Sequence, residues 1–259
     1  MADNHGKFCW YELMTTDTEG AKAFYTKLIR WGTQPIPMPD MEYTMWLRPG
    51  STDGVGGLST LPAEAKAMGA PSHWLLHVAV KSVDDTAKLV TELGGKTFVP
   101  PTDIPGFGRF AVFADHSGAV FAAYTGADAT VEVKEPNDTL GNVAWHELMT
   151  ADVEAACAFY GRLFGWKKTS AMDMGPEMGP YQMFGLGEKS YGGMMKRPPN
   201  VPVSAWLPYF NVESVDQSVT AFEGLGAKLM HGPMEVPGGA RVAVGIDPQG
   251  AAFAIHSTK

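Results

Sequence analysis

The chain has 259 residues, 45% of them apolar and 19% charged, with a formal net charge of −8. Such a composition can bury a sizeable core and excludes a disordered chain, while 20 scattered Lys and Arg in an acidic chain leave no electrostatic footprint for nucleic acid or an anionic membrane. Met1 to Lys7 lacks the apolar stretch of a signal peptide, no apolar run approaches a membrane span, and Cys9 and Cys157 sit at unrelated positions; a cytoplasmic protein with two free thiols, no disulfide framework and no zinc cluster is expected.

Residues 8 to 15 alternate as a strand, with Trp10, Glu12 and Met14 on one face and Tyr11 and Leu13 on the other. Thr16 and Asp17 are N-cap types, followed by Ala21, Phe24, Tyr25 and Leu28 at helical spacing, and Gly32 and Pro35 close that helix. Tyr43 to Leu47 reads as a strand, Gly54 to Leu58 as a glycine-rich strand, and 61 to 72 as a connector. The pattern then restarts. His73 to Val80 is a strand, Ser82-Val83-Asp84-Asp85 caps a helix ended by Gly94-Gly95, and Val99 to Gly108 reads as a proline-rich loop. Phe110 to Phe113, the turn Asp115 to Gly118 and Ala119 to Tyr124 complete the half.

The same order returns after a linker. Trp10-Tyr11-Glu12-Leu13-Met14-Thr15 reappears as Trp145-His146-Glu147-Leu148-Met149-Thr150, and residues 10 to 31 match 145 to 166 at 13 of 22 positions. A repeat of this length defines two halves: a first domain over 1–125, a linker over 126–142 and a second domain over 143–259. Tyr181 stands for Tyr43, Gly192-Gly193 for Gly56-Gly57, Trp206-Leu207 for Trp74-Leu75, Arg241 for Arg109, and Asp247 to Gly250 for Asp115 to Gly118.

Four strand–helix–strands modules, with Phe-Tyr in the first helix and an Asp-x-x-Gly turn before the last strand, resemble the vicinal oxygen chelate superfamily, which includes glyoxalase I, bleomycin-resistance proteins and extradiol dioxygenases. Trp-x-Glu-Leu-Met-Thr-x-Asp followed by Phe-Tyr is most similar to a two-domain branch that includes a mycobacterial antigen of similar mass and actinobacterial proteins named hydroxylases or glyoxalase-like. The resemblance covers residues 8 to 125 and 143 to 257. It implies an α+β fold of four βαβββ modules forming two tandem cup-shaped half-barrels, with a divalent metal on the cup floor of active members. The superfamily's ligand positions fall on Trp10 and Trp145, near Gly57-Leu58 and Gly193-Met194, on Leu75 and Leu207, and on Ala122 and Ala254. None of these side chains binds a metal, so no metal and no cofactor are expected.

Side chains two apart on a strand share a face. That places Glu12 and His77 with Trp10, Leu75, Ala122 and Tyr124 in the first cup, and Glu147, Tyr209 and His256 with Trp145, Leu207 and Ala254 in the second. Glu12, His77 and Glu147 are the candidate acids and bases; each also reads as a hydrogen-bonded structural group, the more so for a glutamate that occurs in both halves. Arg109 and Arg241 follow glycine-rich loops and suit an anionic ligand, or an ion pair with Asp115 or Asp247. Tyr43 and Tyr181, with Trp46 and Phe184, are candidate walls. His73 and His146 read as surface or interface residues. Three functions are compatible: metal-independent binding of a small, largely apolar or aromatic molecule; a glyoxalase-type lyase or isomerase, or a hydroxylase-like enzyme, using Glu12/His77 or Glu147; or a structural protein with filled cups. The partner expected is a small-molecule ligand, with no nucleic acid and no membrane, in a monomer or homodimer.

Overall fold

The computed structural model describes residues 3–38, 41–128, 130–133 and 136–258, leaving the Glu223 side chain aside. The first half runs β1 (Phe8–Thr15), α1 (Thr18–Leu28), β2 (Gly32–Pro37), β3 (Glu42–Leu47), β4 (Gly54–Thr60), a short α2 (Ala63–Ala67), β5 (His73–Ala79), α3 (Val83–Glu92), β6 (Lys96–Ile104), β7 (Gly108–Ala114) and β8 (Val120–Gly126). The second runs β9 (Val143–Thr150), α4 (Val153–Phe164), β10 (Lys167–Asp173), β11 (Pro180–Leu186), β12 (Lys189–Lys196), β13 (Ala205–Asn211), α5 (Val215–Gly224), β14 (Lys228–Glu235), β15 (Arg241–Ile246) and β16 (Ala252–Ser257). This is the α+β arrangement of four βαβββ modules. The strands form two open mixed sheets, ordered β2-β3-β4-β1-β5-β8-β7-β6 and β10-β11-β12-β9-β13-β16-β15-β14. No helix among the described residues is long and apolar enough to cross a membrane.

Local chemistry explains the helix ends. Asp17, Ser82 and Asp152 cap α1, α3 and α4, each side chain accepting the amide proton of the residue three ahead. Arg30, at φ 63, turns the chain out of α1 toward β2.

The expected proline-rich loop over Val99 to Gly108 is corrected. Residues 96 to 104 are β6, paired antiparallel with β7 through two register shifts. The strands that escape the hydrophobic pattern, β2, β6, β10 and β14, are the four sheet edges. An edge strand needs hydrogen bonds on one side only, so it tolerates Pro35, Pro100-Pro101 and Pro233 and lacks a buried alternation.

By contact the chain divides into two compact units, each drawing one module from each half. One contains Met1–Cys9, Leu76–Glu135 and Trp145–Trp206; the other contains Trp10–Leu75, Pro136–Ala144 and Leu207–Lys259. In the second of these, Tyr25 on α1 is surrounded by Phe24, Trp31, Trp46, Trp74 and Phe253. Its hydroxyl accepts the Trp74 indole N–H at 3.0 Å and donates to Asp247 Oδ2 at 3.0 Å. The other unit repeats the device: Tyr160 on α4 accepts from Trp206 at 3.0 Å and donates to Asp115 Oδ2 at 3.1 Å. Oδ1 of each aspartate takes the amide protons of its own Asp-x-x-Gly turn. The Phe-Tyr pair and the turn are therefore one hydrogen-bonded core element in each unit.

Candidate functional site

On β1, Leu13 and Thr15 are fully buried toward the helices, whereas Trp10, Glu12 and Met14 are half-buried on the opposite, open face. Paired residues share a face, so the registers Glu12↔Gly57, Met14↔Ser59 and Met45↔Gly57 place Gly57, Ser59 and Met45 there as well, with Tyr43 two residues before Met45. The Trp10 indole N–H donates to the Tyr43 hydroxyl at 2.8 Å, and the Ser59 hydroxyl donates to Glu12 Oε1 at 2.8 Å.

In the other unit the matching module presents Trp145, Glu147, Met149, Gly193, Met195, Tyr181, Met183 and Met172 on one face. Trp145 Nε1–H donates to Tyr181 Oη at 2.8 Å, and that hydroxyl donates to Glu147 Oε2 at 3.0 Å. Burial, reinforced by the Glu147 charge, raises the Tyr181 phenol well above its usual value, so it stays a donor.

The glycines make both trios possible. A Cβ at Gly57 would collide with the Tyr43 hydroxyl, and one at Gly193 with the Tyr181 ring. Each tyrosine lies where a side chain at that strand position would project. Gly193→Ala is expected to expel the Tyr181 ring and separate it from Glu147; equal exposure of Tyr181 in variant and wild type, measured by ultraviolet difference spectroscopy, would contradict this placement.

The other predicted residues separate into groups. His77 is 6% exposed, pairs in register with Ala122 on β8, and belongs to a different compact unit from Glu12. Tyr124 is half-buried, its hydroxyl donating to the Phe107 carbonyl at 2.7 Å. Tyr209 lies beside Ala254, while His256 Nδ1 is 2.7 Å from Asn211 Oδ1, and burial lowers the pKa of His256. Asn211 in turn donates to the carbonyls of Asn137 and Thr139.

Several expectations are corrected. Trp46 does not wall the open face: it is 0% exposed and packs on Tyr25 and Trp31. Phe184 likewise packs on Trp166 and Trp206. Trp46 shares the buried phase of β3 with Thr44. Arg109 pairs with Asp84 and Asp103, and Arg241 with Asp216; Asp115 and Asp247 are buried in their turns and bonded to the tyrosines. His146 is not a surface residue but 0% exposed, stacked on Phe8 at 3.7 Å with Nδ1 2.7 Å from the Tyr191 carbonyl. A carbonyl only accepts, so Nδ1 carries the proton, and burial lowers the His146 pKa to about 3. Sequence reasoning missed Ser59, whose signal was its spacing of two from Gly57 on the same strand.

Two recesses lie apart from both trios, in the unit that contains α1 and α5. One of about 280 Å³ is lined by α1 together with Leu225, Pro248 and Gln249; the other, of about 160 Å³, lies by Arg30 and Glu213.

Fold and site together define a class: a tandem protein of βαβββ modules in which Trp–Tyr–Glu clusters occupy the floor positions. A model of the glyoxalase/bleomycin resistance protein/dioxygenase superfamily matches residues 140–255. A Mycobacterium tuberculosis protein named "Putative glyoxylase CFP32" is 31% identical over 247 residues, covering 95% of this chain and 92% of that protein. The chain belongs to this superfamily. The "Anthracycline biosynthesis protein DauV" of Streptomyces sp. strain C5 is 26% identical over 274 residues, covering 96% and 92%. The Mn(II)-bound glyoxalase of Novosphingobium aromaticivorans shares the fold, with a TM-score of 0.65 at 17% identity over 98% of this chain and 83% of that one.

The residues present do not fit the superfamily's metal. Its positions carry indole, aliphatic and glycine residues, and the fourth-strand position in each half is overlaid by a tyrosine. Among the described residues no three His, Cys, Asp or Glu side chains group so as to hold an ion.

Proposed function

We propose that the chain binds a small, largely apolar or aromatic molecule on the open faces of its sheets, without a metal at the superfamily's ligand positions. The observation that carries this reading is the half-buried state of Trp10, Glu12, Met14, Trp145, Glu147 and Met149, while Leu13, Thr15, His146, Leu148 and Thr150, which alternate with them, are fully buried. Aromatic rings and thioethers beside a few polar groups are the usual lining of a small-molecule site. A face filled by its own side chains would bury them. The relative named for anthracycline biosynthesis supports a small-molecule role.

Elemental analysis of the purified protein is expected to find no stoichiometric divalent metal. About one tightly held nickel, zinc or iron per chain would overturn the metal-independent reading. The relative named as a glyoxylase and the half-buried Glu147 favour a second reading, acid–base catalysis by Glu147. Turnover of a bound compound that is lost in Glu147→Gln, while its thermal stabilisation persists, would carry that reading instead.

A further inference from the structure

Asn211 on β13 fixes the hydrogen-bonding chemistry of His256 on β16. Its Nδ2 donates to the carbonyls of Asn137 and Thr139. Carbonyls only accept, so the amide nitrogen faces that segment and Oδ1 is the atom 2.7 Å from His256 Nδ1. Oδ1 accepts in its turn, which puts the imidazole proton on Nδ1 and a lone pair on Nε2. Burial lowers the His256 pKa from 6.5, so the ring is neutral at physiological pH. Among the described residues Nε2 has no hydrogen-bond partner.

Four strands bring apolar side chains beside that lone pair. The registers Met234↔Val242, Val242↔His256 and Asn211↔His256 make one row across β14, β15, β16 and β13, and paired residues share a face. Ser257, the next residue of β16, accepts the Val215 amide proton at the start of α5, so the row lies on the side away from that helix. Met234 is 37% exposed and His256 half-buried, whereas Val242 and Asn211 are buried. All four belong to one compact unit. The first half lacks the device. Two residues beyond Ala122, as His256 is two beyond Ala254, stands Tyr124, whose hydroxyl proton goes to the Phe107 carbonyl and whose partner in register is Ala79.

We propose that His256 Nε2 is the acceptor of a subsite for an aromatic ligand that carries a hydroxyl, with the ligand ring against Met234 and Val242. A neutral acceptor among apolar side chains matches a donor that is itself neutral, because a charged group would lose its hydration there. A carboxylate has no proton to give and would meet the Asp138 charge that acts on His256. A phenolic hydroxyl brings one proton to one lone pair. The assignment rests on the binding reading above and adds to it the ligand's hydroxyl and the module that takes it.

Two naphthalenes of nearly the same shape test it. At about pH 7.5 a phenol keeps its proton, so 2-naphthol is a neutral donor, while 2-methoxynaphthalene has the same ring and oxygen and nothing to donate. Fluorescence titration of the full chain is expected to give 2-naphthol at least about fivefold tighter binding, the scale of one hydrogen bond. His256→Phe keeps a ring and removes the lone pair; it should abolish the preference while 2-methoxynaphthalene still binds, which also shows that the variant is folded. Nitrogen-15 spectra of the imidazoles in the wild-type chain need no variant: His256 is expected as the Nδ1–H tautomer, and a proton on Nε2 overturns the assignment. Equal affinity of the wild type for the two compounds, or a preference that survives His256→Phe, overturns the hydroxyl subsite and leaves the binding reading intact. Binding of neither compound overturns both.

Discussion

Tyr160→Phe and Tyr25→Phe are each expected to lower the unfolding free energy by about 3–5 kcal/mol, although each removes a single oxygen. The physical reason is what remains behind. Tyr160 is 0% exposed, between Trp206 at 6% and Asp115 at 3%. Without its hydroxyl, a buried indole N–H and a buried carboxylate oxygen both lose their partner, and each such group costs about 1–3 kcal/mol, more when charged. Tyr25 stands in the same relation to Trp74 and Asp247. Burial already raises the Asp247 pKa, so this carboxylate depends on its remaining donors to stay ionised. The two tyrosines belong to different compact units and share no partner, so the losses should add within about 0.5 kcal/mol in the double variant. Urea denaturation measures all three; losses below about 1 kcal/mol would show that the relay is not what holds the turns.

The second large effect is on acid stability. His146 is wholly buried, and its pKa falls from 6.5 to about 3. The unfolded chain takes a proton there below pH 6.5 that the folded chain refuses, so the stability tied to the neutral ring is complete above pH 6.5 and is lost as pH falls toward 3. The slope is about 1.4 kcal/mol per pH unit, on the order of 5 kcal/mol over the interval. His146→Phe keeps an aromatic ring against Phe8 and gives up the hydrogen bond to Tyr191, so it should cost about 1 kcal/mol at pH 7 and then lose stability less steeply on acidification. Urea midpoints at pH 7, 5 and 4 make the comparison. Parallel profiles for the two proteins would show that another group sets the acid limit.

The faces that carry the candidate site follow from a period of two along one strand. Trp10 and Glu12 share a side because alternate residues of a strand do, and the repeat at Trp145 and Glu147 carries the same geometry into the second half. The four modules and the three capped helices were legible in the same way, since caps and turns are chemistry among near neighbours. The edge strands were not, because their hydrogen bonds come from a partner strand and their side chains have no core to alternate against.

Period two also leaves open which phase of a strand meets the helices. Trp46 and His146, both large and one of them polar, turned out to lie on the buried side, where Tyr25 and Phe8 supply ring partners. Neither Trp10 nor Glu12 names Tyr43 as its neighbour; the glycine at 57 does so only once β3 lies beside β4 and an absent Cβ becomes room for a ring. The longest-range decision is the pairing of modules. The sequence by itself determined two copies of a Phe-Tyr helix and an Asp-x-x-Gly turn. Only the tertiary structure decided that Tyr25 bonds to Asp247, 222 residues away, and Tyr160 to Asp115 in the preceding half. The two turns are close to interchangeable as sequence, and what selects between them is which module's apolar face is buried against which helix.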